Sequence, residues 1–285
     1  MTRPGKPRRF DLHLVSDATG ETLEAIAKAA LAQFEGVDAH KHLWPMVRTP
    51  RQMHRIFEFI EERPGLILYT LVNEDIRRAL VERAEALKLT HVSVLDPVIT
   101  ALAHHLGVPA RGLPGRQHAM DAGYFRRIEA LHYTMAHDDG LLAHDLAAAD
   151  IILVGVSRTS KTPTSIYLAN KGLKTANVPF VPGAPMPQEL DSPLDALIVG
   201  LTAAPERLVQ IRSQRMDGEE IAHATRDYTD LARVREEVRE CRRYCAAHGW
   251  PVIDVTRRSI EETAAAILKI HQERAHRRRQ QEAGS

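Results

Sequence analysis

The sequence predicts an α/β protein with parallel sheets, and three observations support this. Short aliphatic runs such as 66–71 and 151–156 alternate with longer segments whose apolar residues recur at helical spacing. Alternation of this kind is typical of a parallel sheet flanked by helices. The pattern is interrupted once, at the proline- and glycine-containing stretch 107–115, and then starts again. We therefore expect two successive α/β units.

Both halves follow this alternation element by element. In the first half we expect strands at 10–16, 66–71 and 91–95, and helices at 21–34, 49–62 and 74–87, the last of them capped by Asn73. In the second half, the run 151–156 is almost purely aliphatic, as expected for a strand covered on both faces. The other elements expected there are helices at 121–135, 163–171, 204–213 and 228–248, strands at 178–181, 196–201 and 251–256, and a final helix opened by the capping box of Ser259 and Glu262.

Composition argues against several classes of protein. The 285 residues include 38 lysines and arginines and 37 acidic residues, a formal charge of +1, so nothing indicates binding to nucleic acid or to a membrane surface. No apolar run approaches the ~18 residues that span a membrane, and the basic segment 1–9 precedes no signal-peptide core. We therefore expect a cytoplasmic protein. The two cysteines, Cys241 and Cys245, lie one helical turn apart and are expected to be reduced thiols.

The loop 155–162 carries the clearest functional signal. It lies between an aliphatic strand and a helix, which is the context of a phosphate-binding loop. Backbone N–H groups at a helix N-terminus point toward a bound anion, and the helix dipole adds a favourable potential. We predict that the phosphates of a nucleotide are bound by all eight residues of this loop, namely Gly155, Val156, Ser157, Arg158, Thr159, Ser160, Lys161 and Thr162.

Two side chains of this loop have specific predicted roles. Lys161 is expected to reach the terminal phosphates as a catalytic point charge, and Thr162 is expected to offer its hydroxyl to Mg²⁺. Ser160 stands where such loops usually have a second glycine, at a position whose torsions are costly for a residue with a Cβ. The alternative is a strand-to-helix turn with a serine- and threonine-rich cap and no ligand. Arg158 beside Lys161 favours the anion site.

Residues outside the loop complete the candidate site. Asp138 and Asp139 are candidates for the carboxylate that orients an incoming hydroxyl and accepts its proton, or for a metal ligand, and an ordinary acidic turn is the alternative. The hydroxyl-rich turn 16–22 is a candidate for a second anion contact or for docking a partner, or it only caps a helix. Arginine suits bidentate phosphate contact, and the candidates on or just after the helix 204–213 are Arg207, Arg212 and Arg215.

These patterns also predict the domain organisation. Residues 1–108 form an N-terminal parallel α/β domain, and residues 109–145 form a connecting segment with an acidic turn. Residues 146–272 form an α/β domain of the P-loop kinase type, because the loop 155–162 follows its first strand. Residues 273–285 are polar and rich in arginine and glutamine, so we expect a disordered tail there.

Four stretches of the sequence resemble one known family. They are 14–22 (LVSDATGET), 124–130 (YFRRIEA) leading to 137–140 (HDDG), 155–163 (GVSRTSKTP) and 200–202 (GLT). Their order and spacing extend over residues 10–270. Together they resemble the bacterial and plant pyruvate, phosphate dikinase regulatory proteins and their phosphoenolpyruvate synthase regulatory relatives.

This resemblance implies a bifunctional serine/threonine kinase and phosphorylase. It would use ADP to phosphorylate a threonine of the dikinase, beside the catalytic phosphohistidine, and so inactivate that enzyme. It would remove the phosphate with inorganic phosphate and release pyrophosphate. The nucleotide loop of the family maps onto 155–162, where Thr159 and Ser160 resemble the dikinase-directed branch and the synthase-directed branch carries Cys-Gly. A homodimer is compatible with the family, although no helix carries a coiled-coil heptad.

Phosphoryl-transfer chemistry assigns roles to the residues under this resemblance. The loop amides and Lys161 hold the β-phosphate, Thr162 holds Mg²⁺, and Asp138 or Asp139 aligns the threonine hydroxyl. Three alternatives stay open: the same chemistry on phosphoenolpyruvate synthase, a P-loop kinase acting on a small molecule, and a nucleotide sensor without catalysis.

Overall fold

The chain divides into two compact units, Met1–Ala119 and Met120–Ser285. The computed structural model describes residues 8–113, 122–138, 145–214 and 228–283. Each unit contains a four-stranded parallel sheet, so the predicted fold class is confirmed. Because the second unit begins at Met120, it takes in a helix that the sequence analysis placed in the connecting segment 109–145.

The first unit is a sheet with apolar layers on both faces. Its elements are β1 (Arg8–Ser16), α1 (Glu21–Leu31), β2 (Val37–Trp44), α2 (Pro50–Glu62), β3 (Gly65–Thr70), α3 (Glu74–Ala86), β4 (His91–Ser93) and α4 (Asp96–Leu106). The strand order is β2-β1-β3-β4. Leu12 and Leu14 of β1 pack with α1 on one face, and Val15 packs with α2 and α3 on the other.

Strand β2 and helix α4 are absent from the sequence-based predictions. Strand β2 lies at the edge of the sheet, and none of its residues is fully buried. It therefore has no apolar run to indicate a strand, and its polar residues are those expected at an edge. Helix α4 likewise buries none of its residues. It nevertheless has apolar residues at helical spacing, Val98, Leu102 and Leu106, so the sequence contained a signal for this helix that was missed.

The second unit repeats the architecture. Its elements are α5 (Ala122–Ala136), a 3-10 turn (Leu146–Ala148), β5 (Ile151–Gly155), α6 (Lys161–Ala169), β6 (Thr175–Pro179), a 3-10 turn (Gln188–Asp191), β7 (Leu197–Thr202), α7 (Pro205–Gln214), α8 (Leu231–Ala247), β8 (Val252–Asp254) and α9 (Ile260–Ala283). The strand order is β6-β5-β7-β8. All of β5 is buried, with Ile151 and Leu153 facing α8 and α9 while Ile152 and Val154 face Leu146. The prediction of a strand covered on both faces is confirmed.

Two of the differences from the predicted bounds in this unit have a clear physical cause. Strand β6 starts at Thr175 instead of residue 178, because the buried polar residues Thr175 and Asn177 interrupt its apolar pattern. Helix α9 continues through residues 273–283, where the sequence predicted a disordered tail. That segment consists largely of residues with high helix propensity. Arg274 donates to the carbonyl oxygen of Ala196, and Arg278 pairs with Asp195 at 3.0 Å.

The strand order places ligand-binding positions at one end of each sheet. In both sheets the second and third strands lie on opposite sides of the first. The connections therefore reverse direction between β1 and β3 and between β5 and β7, and ligands of open α/β sheets bind outside the carboxyl ends of the strands at such a point. The loop 155–162 leaves β5 at this position in the second unit.

The predicted capping box at the start of α9 is confirmed and gives a first test. The Ser259 N–H donates to Glu262 Oε2 at 2.8 Å, and the Glu262 N–H donates to Ser259 Oγ at 3.1 Å. We expect Ser259→Ala to lower the free energy of unfolding by about 1 kcal/mol, measured by urea denaturation. The control is Arg257→Ala, an exposed substitution two residues earlier. Equal stabilities of the two variants would contradict the assigned cap.

Candidate functional site

A cavity of about 620 Å³ opens beside the loop 155–162. Most of the predicted loop residues line it, together with one of the two predicted carboxylates. The lining consists of Asp138, Ser157, Arg158, Ser160, Lys161, Thr162, Pro163, Pro179 and Ile211. The remaining loop residues, Gly155, Val156 and Thr159, are buried behind this surface. The fold therefore gathers residues from the loop after β5, from α6, β6 and α7, and from the turn after α5 around one space.

The loop backbone contains two residues in the left-handed region. Arg158 has φ 72° and Ser160 has φ 59°. Ser160 directly precedes α6, and its side chain makes no capping hydrogen bond. Glycine is usual at this position in phosphate-binding loops, and the torsions observed here are those that glycine adopts most readily. Serine adopts them at a cost of about 1–2 kcal/mol.

Gly155 allows β5, the loop and β7 to approach closely. A Cβ at this position would lie 2.4 Å from the carbonyl oxygen of Leu201 and 2.9 Å from Thr159 Oγ1. The Thr159 hydroxyl is itself fully buried and donates to the carbonyl oxygen of Val156 at 2.9 Å. Any larger residue would therefore displace either the neighbouring strand or the inner turn of the loop.

The ammonium group of Lys161 is held across the loop. Its side chain is only 5% exposed, and Nζ donates to the carbonyl oxygen of Val156 at 3.1 Å. The Lys161 ammonium also affects the pKa of the buried Cys241 thiol. The hydrogen bond with the Cys245 thiol, together with the nearby Lys161 ammonium, lowers the pKa of Cys241, and the same bond raises the pKa of Cys245. Both cysteines are free, as predicted, and both are buried.

Three polar side chains meet at the mouth of the cavity. The Thr162 hydroxyl donates to Asp138 Oδ1 at 2.9 Å. The amide of Asn177 donates to the same carboxylate oxygen at 2.5 Å and to Thr162 Oγ1 at 3.1 Å. Two residues predicted separately from sequence are thus in direct contact. Asp139, the other candidate carboxylate, lies outside the described residues.

Asn177 was missed by the sequence analysis. It lies on β6 and is 1% exposed. A buried amide must find hydrogen-bond partners, and this one finds them at Asp138 and Thr162. The sequence marks it only weakly, as a polar residue directly before Val178, where the strand was predicted to start.

The predicted phosphate contact of Arg212 is wrong. This guanidinium is 1% exposed and donates to Glu237 Oε2 at 2.7 Å and to the carbonyl oxygens of Tyr228 and Ser157 at 3.0 and 3.3 Å. The Tyr228 hydroxyl lies 2.7 Å from Ser157 Oγ. Arg212 is therefore already engaged and supports the loop from behind.

The other arginines have different positions. Arg207 is bonded to Gln210 and does not line the cavity, and Arg215 lies outside the described residues. Arg158 is the arginine that lines the cavity. Its Nε is buried and has no hydrogen-bond partner in the described ranges. An unsatisfied guanidinium donor at the cavity wall is suited to an oxyanion.

The turn 16–22 contains a buried carboxylate, and the Arg48 guanidinium donates to its backbone at the carbonyl oxygen of Asp17, 2.8 Å away. Ser16 Oγ accepts from Thr70 Oγ1 and from the Ala18 N–H, so this hydroxyl serves the turn itself. Asp17 is buried and its carboxylate accepts from the Val72 N–H at 2.7 Å, while burial raises the pKa of this carboxyl. Helix α1 begins after Gly20 without a side-chain cap. The second anion contact and the docking role both stay predictions.

The fold and the site together define an α/β protein whose second unit is kinase-like. A family model described as kinase/pyrophosphorylase matches residues 12–268, and the chain belongs to that family. In the described parts of the chain, no helix combines the length and the apolar character needed to cross a membrane.

Several relatives are similar over nearly their whole length, and each is named as a candidate pyruvate, phosphate dikinase regulatory protein. The relative from Rhizorhabdus wittichii is 58% identical, over 94% of this chain and 97% of its own. Those from Chelativorans sp. and Rhizobium meliloti are 53% and 51% identical, over 93% and 92% of this chain and 97% and 96% of their own. The family resemblance predicted from the sequence motifs is confirmed.

The left-handed torsion of Ser160 gives a second test. Ser160→Gly removes a strain of about 1–2 kcal/mol and adds a backbone entropy cost of about 0.5–1 kcal/mol. We therefore expect a small net stabilisation, measured as the urea midpoint of the transition that includes the second unit. Ser160→Ala keeps the Cβ and is the control, for which we expect no gain. A glycine variant less stable than the alanine variant would contradict the assigned backbone conformation.

Proposed function

We propose that this chain is a cytoplasmic, bifunctional regulator that phosphorylates and dephosphorylates a threonine of pyruvate, phosphate dikinase. The observation that carries the proposal is the convergence of Lys161, Thr162 and Asp138 on one cavity beside a strand-to-helix loop. The family description, kinase/pyrophosphorylase, names both directions of such chemistry. The names of the relatives support pyruvate, phosphate dikinase as the protein substrate.

In the forward direction ADP is the phosphoryl donor. The loop amides and Lys161 hold its β-phosphate, and the guanidinium of Arg158, which also lines the cavity, is a further donor. The threonine oxygen attacks the β-phosphorus, the bond from that phosphorus to the α–β bridging oxygen breaks, and AMP leaves. Asp138 accepts the hydroxyl proton, since it is the described carboxylate that lines the cavity. The target enzyme is left with a phosphothreonine.

The reverse reaction uses inorganic phosphate as the nucleophile. A phosphate oxygen attacks the phosphorus of the phosphothreonine, the bond to the threonine oxygen breaks, and pyrophosphate is released. The threonine oxygen recovers a proton, for which the protonated form of Asp138 is the source. Because both reactions pass a phosphoryl group between a threonine oxygen and a phosphate oxygen, one anion cradle can serve both.

The residues at the cavity mouth fit a magnesium ion. Thr162 Oγ1 and Asp138 Oδ1 lie 2.9 Å apart, and a hydroxyl with a carboxylate forms the hard oxygen donor set that Mg²⁺ prefers. We propose that Thr162 Oγ1 and Asp138 Oδ1 would hold the ion together with phosphate oxygens, which leaves Asp138 Oδ2 as the oxygen that accepts the threonine proton. When bound, it would neutralise charge on the phosphates. Asn177 then acts as a positioning residue, because its amide fixes the carboxylate of Asp138 at 2.5 Å.

The dikinase is preferred over phosphoenolpyruvate synthase as the target. Thr159 and Ser160 match the dikinase-directed branch by resemblance, and the similar relatives carry the dikinase in their names. Thr159 is buried and bonded within the loop, while Ser160 lines the cavity. Of this pair, Ser160 is therefore the residue with access to a bound ligand.

Replacing Lys161 separates the proposed enzyme from a nucleotide sensor. The assay mixes the full chain with histidine-phosphorylated dikinase and ADP labelled in its β-phosphate, and it follows label on threonine. We expect Lys161→Ala to reduce the transfer rate by at least about 100-fold, because it removes the charge that stabilises the transition state. Lys171→Ala, at an exposed lysine just beyond α6, is the matched control and should transfer normally.

Three results would count against this assignment. A folded wild-type chain that places no label on the dikinase overturns it. Label on the synthase in place of the dikinase would make the synthase the target, and turnover of a small acceptor from a metabolite panel with ATP would favour a small-molecule kinase.

Asp138 is tested through the separation of chemistry from binding. We expect Asp138→Asn to lower the rate of transfer by about 10²–10⁴-fold, the range for loss of a general base. Asn177→Ala should lower it less, because the carboxylate remains but loses its fixed position. ADP affinity, measured by calorimetry without Mg²⁺, should stay near the wild-type value in both variants. A full rate in Asp138→Asn would exclude this carboxylate as the base.

A further inference from the structure

A cluster of metal-ligating side chains lies in the first unit, apart from the residues of the proposed reaction. Asp11 of β1 is the register partner of His40 of β2, and His42 follows two residues later on the same face of the strand. One donor atom from each residue lies within 4.8 Å of the others. We propose that Asp11, His40 and His42 bind a late first-row divalent transition metal ion, with Zn²⁺ as its representative.

The distances place the three donors around a position that an ion can fill. Asp11 Oδ1 lies 2.6 Å from His42 Nε2 and 3.8 Å from His40 Nδ1. Tetrahedral zinc with bonds of about 2.0–2.1 Å holds its ligand atoms roughly 3.3 Å apart. One separation is shorter than this value and the other is longer, each by less than about 1 Å. Side-chain rotation without backbone movement can supply such an adjustment.

The site is ordered on its inner side and open on its outer side. The ring of His42, whose side chain is 10% exposed, is stacked on His13 at 4.9 Å and meets the edge of Phe59 at 5.0 Å. These contacts fix one ligand before the metal arrives. The His40 side chain is 69% exposed. An ion can therefore enter from solvent and keep water at its remaining position.

A third imidazole on the same face is already occupied. His13 pairs in register with His42, but its Nε2 donates to the carbonyl oxygen of Arg63 at 2.8 Å and its Nδ1 faces Trp44 Nε1 at 3.5 Å. The available donor set is therefore two imidazoles and one carboxylate.

This donor set defines the class of ion. Imidazole nitrogens suit Zn²⁺, Ni²⁺ and Cu²⁺, whereas Mg²⁺ and Ca²⁺ prefer oxygen ligands. The ion would differ from the magnesium proposed for the second unit. Strand β2 is an edge strand that pairs with β1 alone. A metal bound by Asp11, His40 and His42 would join β2 to β1 through side chains, in addition to the backbone hydrogen bonds between the two strands.

The test is zinc binding by the full, untagged chain without nucleotide. Zn²⁺ is titrated against the protein in competition with a chromogenic chelator, and we expect one equivalent that His40→Ala weakens by at least about 10-fold. His40 is chosen because its exposed ring can be removed without disturbing the core, and far-UV circular dichroism checks the fold. Asp11→Asn, a variant of the same shape, should weaken the same equivalent.

The matched control is His54→Ala. His54 is 77% exposed and lies 3.5 Å from Glu58, so it forms a histidine–carboxylate pair, and among the described residues no third donor joins it. We expect this variant to keep the wild-type affinity. In the cobalt form, the visible absorption of a low-coordinate nitrogen–oxygen site should appear in the wild type and His54→Ala and vanish in His40→Ala. The proposal is overturned if the wild type binds no more Zn²⁺ than the variant lacking both His40 and His42, or if His54→Ala loses the equivalent instead.

Discussion

The second unit depends on a cation held inside its own loop. Lys161 reaches back to the carbonyl oxygen of Val156, and this bond requires the two left-handed residues that turn the loop between β5 and α6. This loop conformation also requires Gly155, because a Cβ there would collide with the backbone of β7. The position of the Lys161 charge, the backbone conformation of the loop and the spacing of β5 and β7 therefore depend on one another. A phosphate group entering it would meet oriented donors, with no reorganisation needed at the moment of reaction.

Several features of the loop lower the stability of the fold, and they lie where the chemistry is expected. A serine with positive φ, a buried ammonium and a guanidinium nitrogen without a described partner each oppose folding. Rigid elements compensate for them. Arg212 joins the loop to Glu237 on α8, and Asn177 joins Asp138 to Thr162. Departures from local preference that the surrounding structure supports are typical of functional sites.

Sequence reasoning located the loop but not the residues that support it. The aliphatic strand 151–156 and the polar turn after it are local signals, so β5 and the lining of the cavity were predictable. The contact of Asp138 with Thr162 spans 24 residues, and Arg212 was predicted to bind phosphate because nothing near it in sequence indicates Glu237. Strand β2 was missed since an edge strand with alternating exposure has no apolar run. Its His-x-His pair was missed with it.

The two units share a topology but differ in the side chains at the equivalent turn. Both sheets have the same strand order, and in both a turn leaves the first strand at the point where the connections reverse. In the second unit this turn carries Arg158 and Lys161, whereas in the first it carries the buried carboxylate of Asp17, bonded to the Val72 N–H. An anion bound there would face a negative charge at close range in a medium of low dielectric. The side chains of the turn therefore distinguish the two sheets as candidate nucleotide sites, and the fold supplies only the position.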